Sequence, residues 1–267
     1  MKIFELVQSS RRLRPVRLGF TMGLALLFLA ALLWGLRGVI PAHADPGMLY
    51  VDGTTGNDTS NCQNPTAPNQ TTWYVHPNGS DSYTGTLGLP FATIQHAIDV
   101  ASDGDTILVA EGTYTETLDI GITVTLKGGY AISGTLWLPR TGDTVVYANG
   151  VDDAAIWIYP GANVTVEGFI VQGANHTSDG GGGFLIDRAT VTISDTVIQD
   201  NTAVGQTGGG IDVQSGTLSL VNSSLLNNTA GGEGGGLMVH NWDIITLDNV
   251  TVQSNTAQGG GRWLVRS

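Results

Sequence analysis

The sequence predicts an all-β chain: a right-handed parallel β-helix with three short strands per coil, a 27-residue repeat and an N-terminal capping strand and helix. Three observations predict it. The apolar pairs Val164/Val166, Val191/Ile193, Leu218/Leu220 and Ile245/Leu247 each follow the last by 27 residues, and Val171, Ile198, Leu225 and Val252 keep the same step. Asn201-Thr202-Ala203, Asn228-Thr229-Ala230 and Asn255-Thr256-Ala257 also repeat every 27 residues. Gly triplets ending at 183, 210, 236 and 261 step by 27, 26 and 25, so the slippage is confined to one loop.

Within a coil, Ile211-Asp212-Val213-Gln214 alternates, Ser215-Gly216 turns, and Thr217-Leu218-Ser219-Leu220 alternates again. Val221-Asn222 then turns, and Ser223-Ser224-Leu225-Leu226 forms a third run. Alternation with period two places one set of side chains inward and the other outward. A lone coil buries too little to offset the entropy of ordering it, so coils must stack. Leucine-rich repeats are ruled out because glycine triplets stand where that fold needs a helix. Calcium-binding nonapeptide arrays are ruled out because no nine-residue period occurs.

The chain opens with Lys2, Arg11, Arg12, Arg14 and Arg17, then the apolar run Leu18 to Leu36 and the small-residue pattern Ala42-His43-Ala44. Residues 1–44 therefore read as an export signal or, uncleaved, an N-terminal anchor, and that segment is the only membrane contact expected. Residues 45–72 are a linker holding a partial duplicate of the cap strand, because Leu49-Tyr50-Val51 before Gly56-Asn57-Asp58 resembles Trp73-Tyr74-Val75 before Gly79-Ser80-Asp81. Residues 73–103 form the cap, in which Pro90 to Ala101 carries apolar residues at helical spacing, and 104–267 form the β-helix. Near the end, Gly261-Arg262-Trp263 replaces the glycine-to-aliphatic step of earlier coils, and no closing element follows. The expectation is a chain truncated from a longer protein, whose open last coil would allow self-association.

Without residues 1–44 the chain retains five basic and 22 acidic residues, a net charge of −17. Lys127 is then the only lysine, so no cationic footprint for a phosphate backbone exists and nucleic acid is excluded as a partner. Cys62 is the only cysteine, so no intramolecular disulfide forms. It reads as an inert surface thiol.

The segment from Trp73-Tyr74-Val75-His76-Pro77-Asn78-Gly79-Ser80-Asp81 to Gly112-Thr113-Tyr114-Thr115-Glu116 resembles the N-terminal cap of exported members of the pectate lyase-like right-handed β-helix superfamily. The repeats Val197-Ile198-Gln199-Asp200-Asn201-Thr202-Ala203 with Gly208-Gly209-Gly210-Ile211 are also similar to those of polymorphic outer-membrane adhesins. The resemblance implies an amide ladder at Asp195, Asn222 and Asn249 in the tight second turn. It also implies that any catalytic site lies on the outer face of the strand after the third turn. That face carries Leu185, Asp187, Asp212, Gln214, Met238 and His240, so Asp187, Arg188, Asp212 and His240 are the candidate catalytic residues. Asp187 and Asp212 are the candidate ligands for Ca²⁺, the one cofactor a lyase would use, although two carboxylates in offset columns are fewer than such a site needs. The residues read first as solvated outward positions.

Thr165, Thr192, Ser219 and Thr246 form a hydroxyl column on the second strand. The expectation is a secreted or cell-surface module without catalysis, requiring no cofactor and binding a polysaccharide or cell-surface glycan. The alternative is a Ca²⁺-dependent polysaccharide lyase, and a third reading is a self-associating filament.

Overall fold

A computed structural model describes residues 70–133, 136–139, 142–240 and 243–259. Residues 1–44, expected to direct export or anchor the chain, nearly all of 45–72, Cys62 and Arg262 lie outside these residues. Among the described residues no helix is long and apolar enough to cross a membrane. Strands β1 to β23 and the helix α1 are numbered in chain order.

Apart from β6 (Leu136–Leu138), which pairs antiparallel with the end of the preceding strand, the strands form four stacks of parallel pairs, the right-handed parallel β-helix that the periodicity predicts. The first sheet runs β1 (Thr72–Val75), β2 (Asp105–Ala110), β5 (Val124–Ser133), β9 (Asn163–Glu167), β13 (Thr190–Ser194), β17 (Thr217–Val221) and β21 (Ile244–Asp248). The second contains β3 (Gly112–Tyr114), β7 (Thr144–Tyr147), β10 (Phe169–Gln172), β14 (Val197–Gln199), β18 (Ser224–Leu226) and β22 (Thr251–Gln253). The fourth contains β4 (Leu118–Ile120), β8 (Ile156–Ile158), β12 (Phe184–Asp187), β16 (Ile211–Gln214) and β20 (Leu237–Val239).

The third sheet was not expected. It consists of two-residue strands, β11 (Asn175–His176), β15 (Thr202–Ala203), β19 (Thr229–Ala230) and β23 (Thr256–Ala257). Each coil thus has three principal strands and one short one. The cause is a buried asparagine ladder. Asn201 Nδ2 donates to Val171 O (3.0 Å) and Asn228 Oδ1 (3.1 Å), while Asn228 Nδ2 donates to Ile198 O (2.9 Å) and Asn255 Oδ1 (3.0 Å). The same Oδ1 atoms accept from the backbone N–H groups of Asn201 and Asn228. A corner that would otherwise leave buried backbone groups unpaired is therefore satisfied, and the chain stays extended through it.

In the second turn, Asp195, Asn222 and Asn249 adopt φ of 49°, 47° and 52°, a left-handed conformation that short polar side chains tolerate. Asn249 Nδ2 donates to Asn222 Oδ1 at 2.9 Å, which is one rung of the amide ladder. Inward residues fill the core: Val164, Val166, Ile193, Leu218 and Leu220 are fully buried.

The cap differs from expectation in extent. Helix α1 spans Ile94–Val100, not Pro90 to Ala101, with Thr93 as N-cap. Phe91 is committed elsewhere: it lies beside Val75 in a parallel bridge, exchanges backbone hydrogen bonds with β1 and stacks on Trp73 at 5.8 Å. Strand β1 is itself the first strand of the first sheet, so the cap continues the solenoid while α1 covers its end. Asp81 accepts from Ala92 N, Thr93 N and Thr93 Oγ1, and Glu116 accepts from Ile94 N and Gln95 N at 2.9 Å each. Together they satisfy the free N–H groups of the helix start.

Replacing Asn228 by Ala removes four hydrogen bonds and orphans buried partners, so stability should fall by about 2–4 kcal/mol. A shift of the denaturation midpoint no larger than that of an exposed Asn→Ala control would refute this role. A second expectation concerns pH. Burial, reinforced by Asp81, raises the Glu116 carboxyl against the opposing pull of two backbone N–H groups. A raised native pKa means that the folded state holds the extra proton, so this contribution is complete below the ordinary glutamate value and is lost as pH rises through the native one. Glu116→Gln should flatten the stability profile from about pH 4 upward, since unfolded glutamate titrates near 4.3. Parallel profiles for the two proteins would count against it.

Candidate functional site

On the fourth sheet, alternation gives two outward columns. Asp119, Trp157, Leu185, Asp212 and Met238 stand in register in the first. In the second, Asp187 pairs with Gln214, and Tyr159 and His240 occupy the equivalent places just past β8 and β20.

Two members of the first column, Leu185 and Asp212, are not solvated as their outward direction suggests, while Asp119 is exposed and Trp157 half-exposed. Leu185 is 1% and Asp212 0% exposed. The glycine loops preceding β12 and β16 fold back over the sheet. A Cβ on Gly181 would sit 2.9 Å from Leu185 Cβ and one on Gly208 2.6 Å from Asp212 Cβ, and both glycines have left-handed φ, 69° and 67°. The recurring glycines are thus required by close approach of backbone to side chain.

Asp212 is accordingly a buried carboxylate with assigned partners. Thr207 Oγ1 donates to Oδ2 at 2.7 Å, and His240 Nε2 bonds Oδ1 at 2.8 Å. Burial pushes its pKa up, while the Thr207, His240 and Gln214 contacts hold it back. The His240 side chain is 39% exposed, so this imidazole is anchored from below and open above. Asp243 lies close to the pair and accepts from Gly216 N at 2.7 Å; burial raises it, and the Asp212 charge adds to the rise.

Asp187 does not join this group. Its carboxylate is bracketed by Arg188, whose Nε and Nη2 donate at 2.9 and 3.0 Å. The four candidates therefore form two separate pairs, Asp187 with Arg188 and Asp212 with His240. Neither suits Ca²⁺: the Asp187 oxygens face a guanidinium, and each Asp212 oxygen is already hydrogen-bonded under a loop, whereas calcium takes six to eight oxygen ligands. Among the described residues no group of three or more His, Cys, Asp or Glu side chains is arranged to hold a metal ion.

Two further features had no sequence signal at the 27-residue step. Trp157 and Tyr159 stack at 4.9 Å with an interplanar angle of 12°, and the Tyr159 hydroxyl donates to Asp119 Oδ1 at 3.1 Å. Burial raises the Tyr159 pKa, and the bond to Asp119 and the charges of Asp119 and Asp153 raise it further. Trp157 Nε1 is buried without an acceptor, a condition that costs about 1–3 kcal/mol. The alternation Ile156-Trp157-Ile158-Tyr159 is the signal the sequence carries, and later coils do not repeat its aromatic residues.

The other feature extends the hydroxyl column of the first sheet. Thr72, Thr106, Thr125, Thr165, Thr192, Ser219 and Thr246 stand in unbroken register across all seven parallel strands. The first three escape the repeat because the early coils differ in length.

The family described as "Protein of unknown function (DUF1565)" matches residues 77–257. The uncharacterised protein YwoF of Bacillus subtilis (strain 168) is 53% identical over 47 residues, 18% of this chain and 10% of that protein. Pectate lyase PEL9 of Emericella nidulans is 41% identical over 73 residues, 27% of this chain and 17% of that protein. The chain thus spans less than a fifth of either relative's length. A solved rhamnogalacturonan lyase is matched at 14% identity and a TM-score of 0.28, over 73% of this chain and 63% of that one, a likeness too loose to carry an argument. With the family covering most of the stacked coils, the chain belongs to DUF1565, within the pectate lyase-like β-helix superfamily.

Proposed function

We propose that this chain is an exported polysaccharide-binding module that holds a glycan along its coils and performs no catalysis of its own. The observation that carries the reading is the hydroxyl column of the first sheet, seven residues in register on a half-exposed face. Parallel strands lie about 4.8 Å apart, close to the length of one pyranose ring, so an extended glycan laid along the axis meets about one hydroxyl per sugar. Each bond is weak, and their number supplies the affinity. Against catalysis stand the carboxylates themselves, one neutralised by Arg188 and the other buried beneath a glycine loop.

The triple variant Thr165→Val, Thr192→Val, Ser219→Ala should bind polysaccharide at least tenfold more weakly, because three lost hydrogen bonds amount to more than the 1.4 kcal/mol that a factor of ten represents. Affinity electrophoresis through polysaccharide-containing gels reads this directly. Undiminished retardation of a folded variant would sink the proposal.

A second reading, lyase chemistry by β-elimination, is favoured by one arrangement: His240 is oriented by a buried carboxylate and open to solvent, as a general base requires. Incubation with acidic polysaccharides, with Ca²⁺ or EDTA, tests it through the ultraviolet absorbance of the unsaturated uronate product. The binding reading expects no rise in either condition. A rise that disappears in His240→Ala and Asp212→Asn would replace it with the lyase reading.

A further inference from the structure

The hydroxyl column lies on one sheet, and a different sheet holds a group of side chains that the column does not explain. From its geometry we infer that Trp157 and Tyr159, with Asp119 and Asp187 on either side, form a subsite for an uncharged pyranose, so that the preferred ligand is a neutral glycan and not a polyuronate. The inference rests on the reading of the chain as polysaccharide-binding and adds a second point of contact and a substrate class.

The two rings come from alternate positions of one strand and its end, so both project from the same face. They stack on each other, and the Tyr159 hydroxyl is tied to Asp119 Oδ1 at 3.1 Å. A half-exposed aromatic held by both a stack and a hydrogen bond loses little freedom when a ligand docks, which is the property of a rigid anchor. Packing alone does not demand these residues. One coil later, the position of Trp157 is taken by Leu185, which is fully buried and carries no polar atom to satisfy. At Trp157 the fold retains an indole whose N–H is buried without an acceptor.

The surroundings define the ligand. A pyranose presents an apolar face of C–H groups and a rim of hydroxyls, which match an aromatic ring flanked by hydrogen-bond acceptors. Asp119 stands beside Trp157 in the preceding coil and Asp187 beside Tyr159 in the next. Asp153 and Asp152 add to the negative field, since Asp153 senses both Asp119 and Asp152 and itself acts on Tyr159. Arg188 is a cation at this point of the face, and its Nε and Nη2 donate to Asp187, which pairs its charge with that carboxylate. A chain of uronate carboxylates would be repelled by Asp119, Asp152 and Asp153, whereas a neutral sugar donates its hydroxyls to Asp119 beside the rings.

The test uses the 267-residue chain in native gels containing a neutral β-linked glucan or xylan, or polygalacturonate with EDTA. Retardation by a neutral glycan and not by polygalacturonate is expected. Tyr159→Ala should weaken that retardation at least tenfold, and Tyr159→Phe, which keeps the ring and loses the bond to Asp119, should retain most of it. Equal retardation of wild type and folded Tyr159→Ala overturns the subsite, as does stronger retardation by polygalacturonate. If Tyr159→Ala does not fold, protection of tryptophan emission from a soluble quencher on adding neutral oligosaccharide to the wild type takes its place, and no protection overturns the proposal. Loss of binding in the hydroxyl-column variant with none in Tyr159→Ala removes the subsite and leaves the binding reading standing. No retardation in any gel removes both.

Discussion

Parallel pairing of residues one coil apart, 27 positions in the regular coils, is the constraint on which the rest of this structure depends. Val191 faces Val164 and Leu218, Thr192 faces Thr165 and Ser219, and Ile193 faces Val166 and Leu220. Because side chains alternate with period two, a slip of one residue would turn a whole row of Val, Ile and Leu toward water and bring the Thr row into the core. The register is therefore fixed by burial. The same constraint that places the core also aligns every outward column, so ladders of like residues arise wherever the sequence repeats.

The buried asparagines show how the constraint is met where alternation fails. At each Asn-Thr-Ala corner the chain must turn inside the molecule, where backbone groups have no water. Asn201, Asn228 and Asn255 each reach a carbonyl in the coil behind, and the first two also bond the amide oxygen of the coil ahead. The left-handed residues repeat in the same way: Asp200, Asn227 and Ser254 share φ between 54° and 56°. Corners are thus as strictly periodic as strands, and variation in length is left to the glycine loops.

What was legible in the sequence follows from this division. Strand position, inward or outward direction and coil register could all be read, because one number controls them. The asparagine triplets were visible as repeats, but a repeat does not reveal whether a polar residue is buried, so their structural role went unread while the exposed turn at Asp195, Asn222 and Asn249 was anticipated. Asp212 shows the converse. Its outward direction was read correctly and its burial was not, because the glycine period is visible in sequence while the folding of Gly180 and Gly208 back over the sheet onto Asp212 is a tertiary event. Thr72, Thr106 and Thr125 lie in early coils of irregular length, and only their hydrogen-bonded register joins them to the column. Helix α1 began later than its apolar spacing suggested because Phe91 serves a strand.

The covering of Asp212 also bears on what this surface can do. A carboxylate that performs chemistry must reach its substrate, and one that coordinates calcium must offer free lone pairs. Asp212 does neither: burial favours its neutral form, and Thr207 and His240 occupy its oxygens. The loop that hides it belongs to the same glycine repeat that keeps the coils closely stacked, so exposing the carboxylate would require giving up that packing. The fold instead leaves open its flat rows of hydroxyls and the aromatic pair at Trp157 and Tyr159. Such features act by position and number, since each contact is small and the rigid spacing of the coils lets many form together on one extended ligand without further ordering.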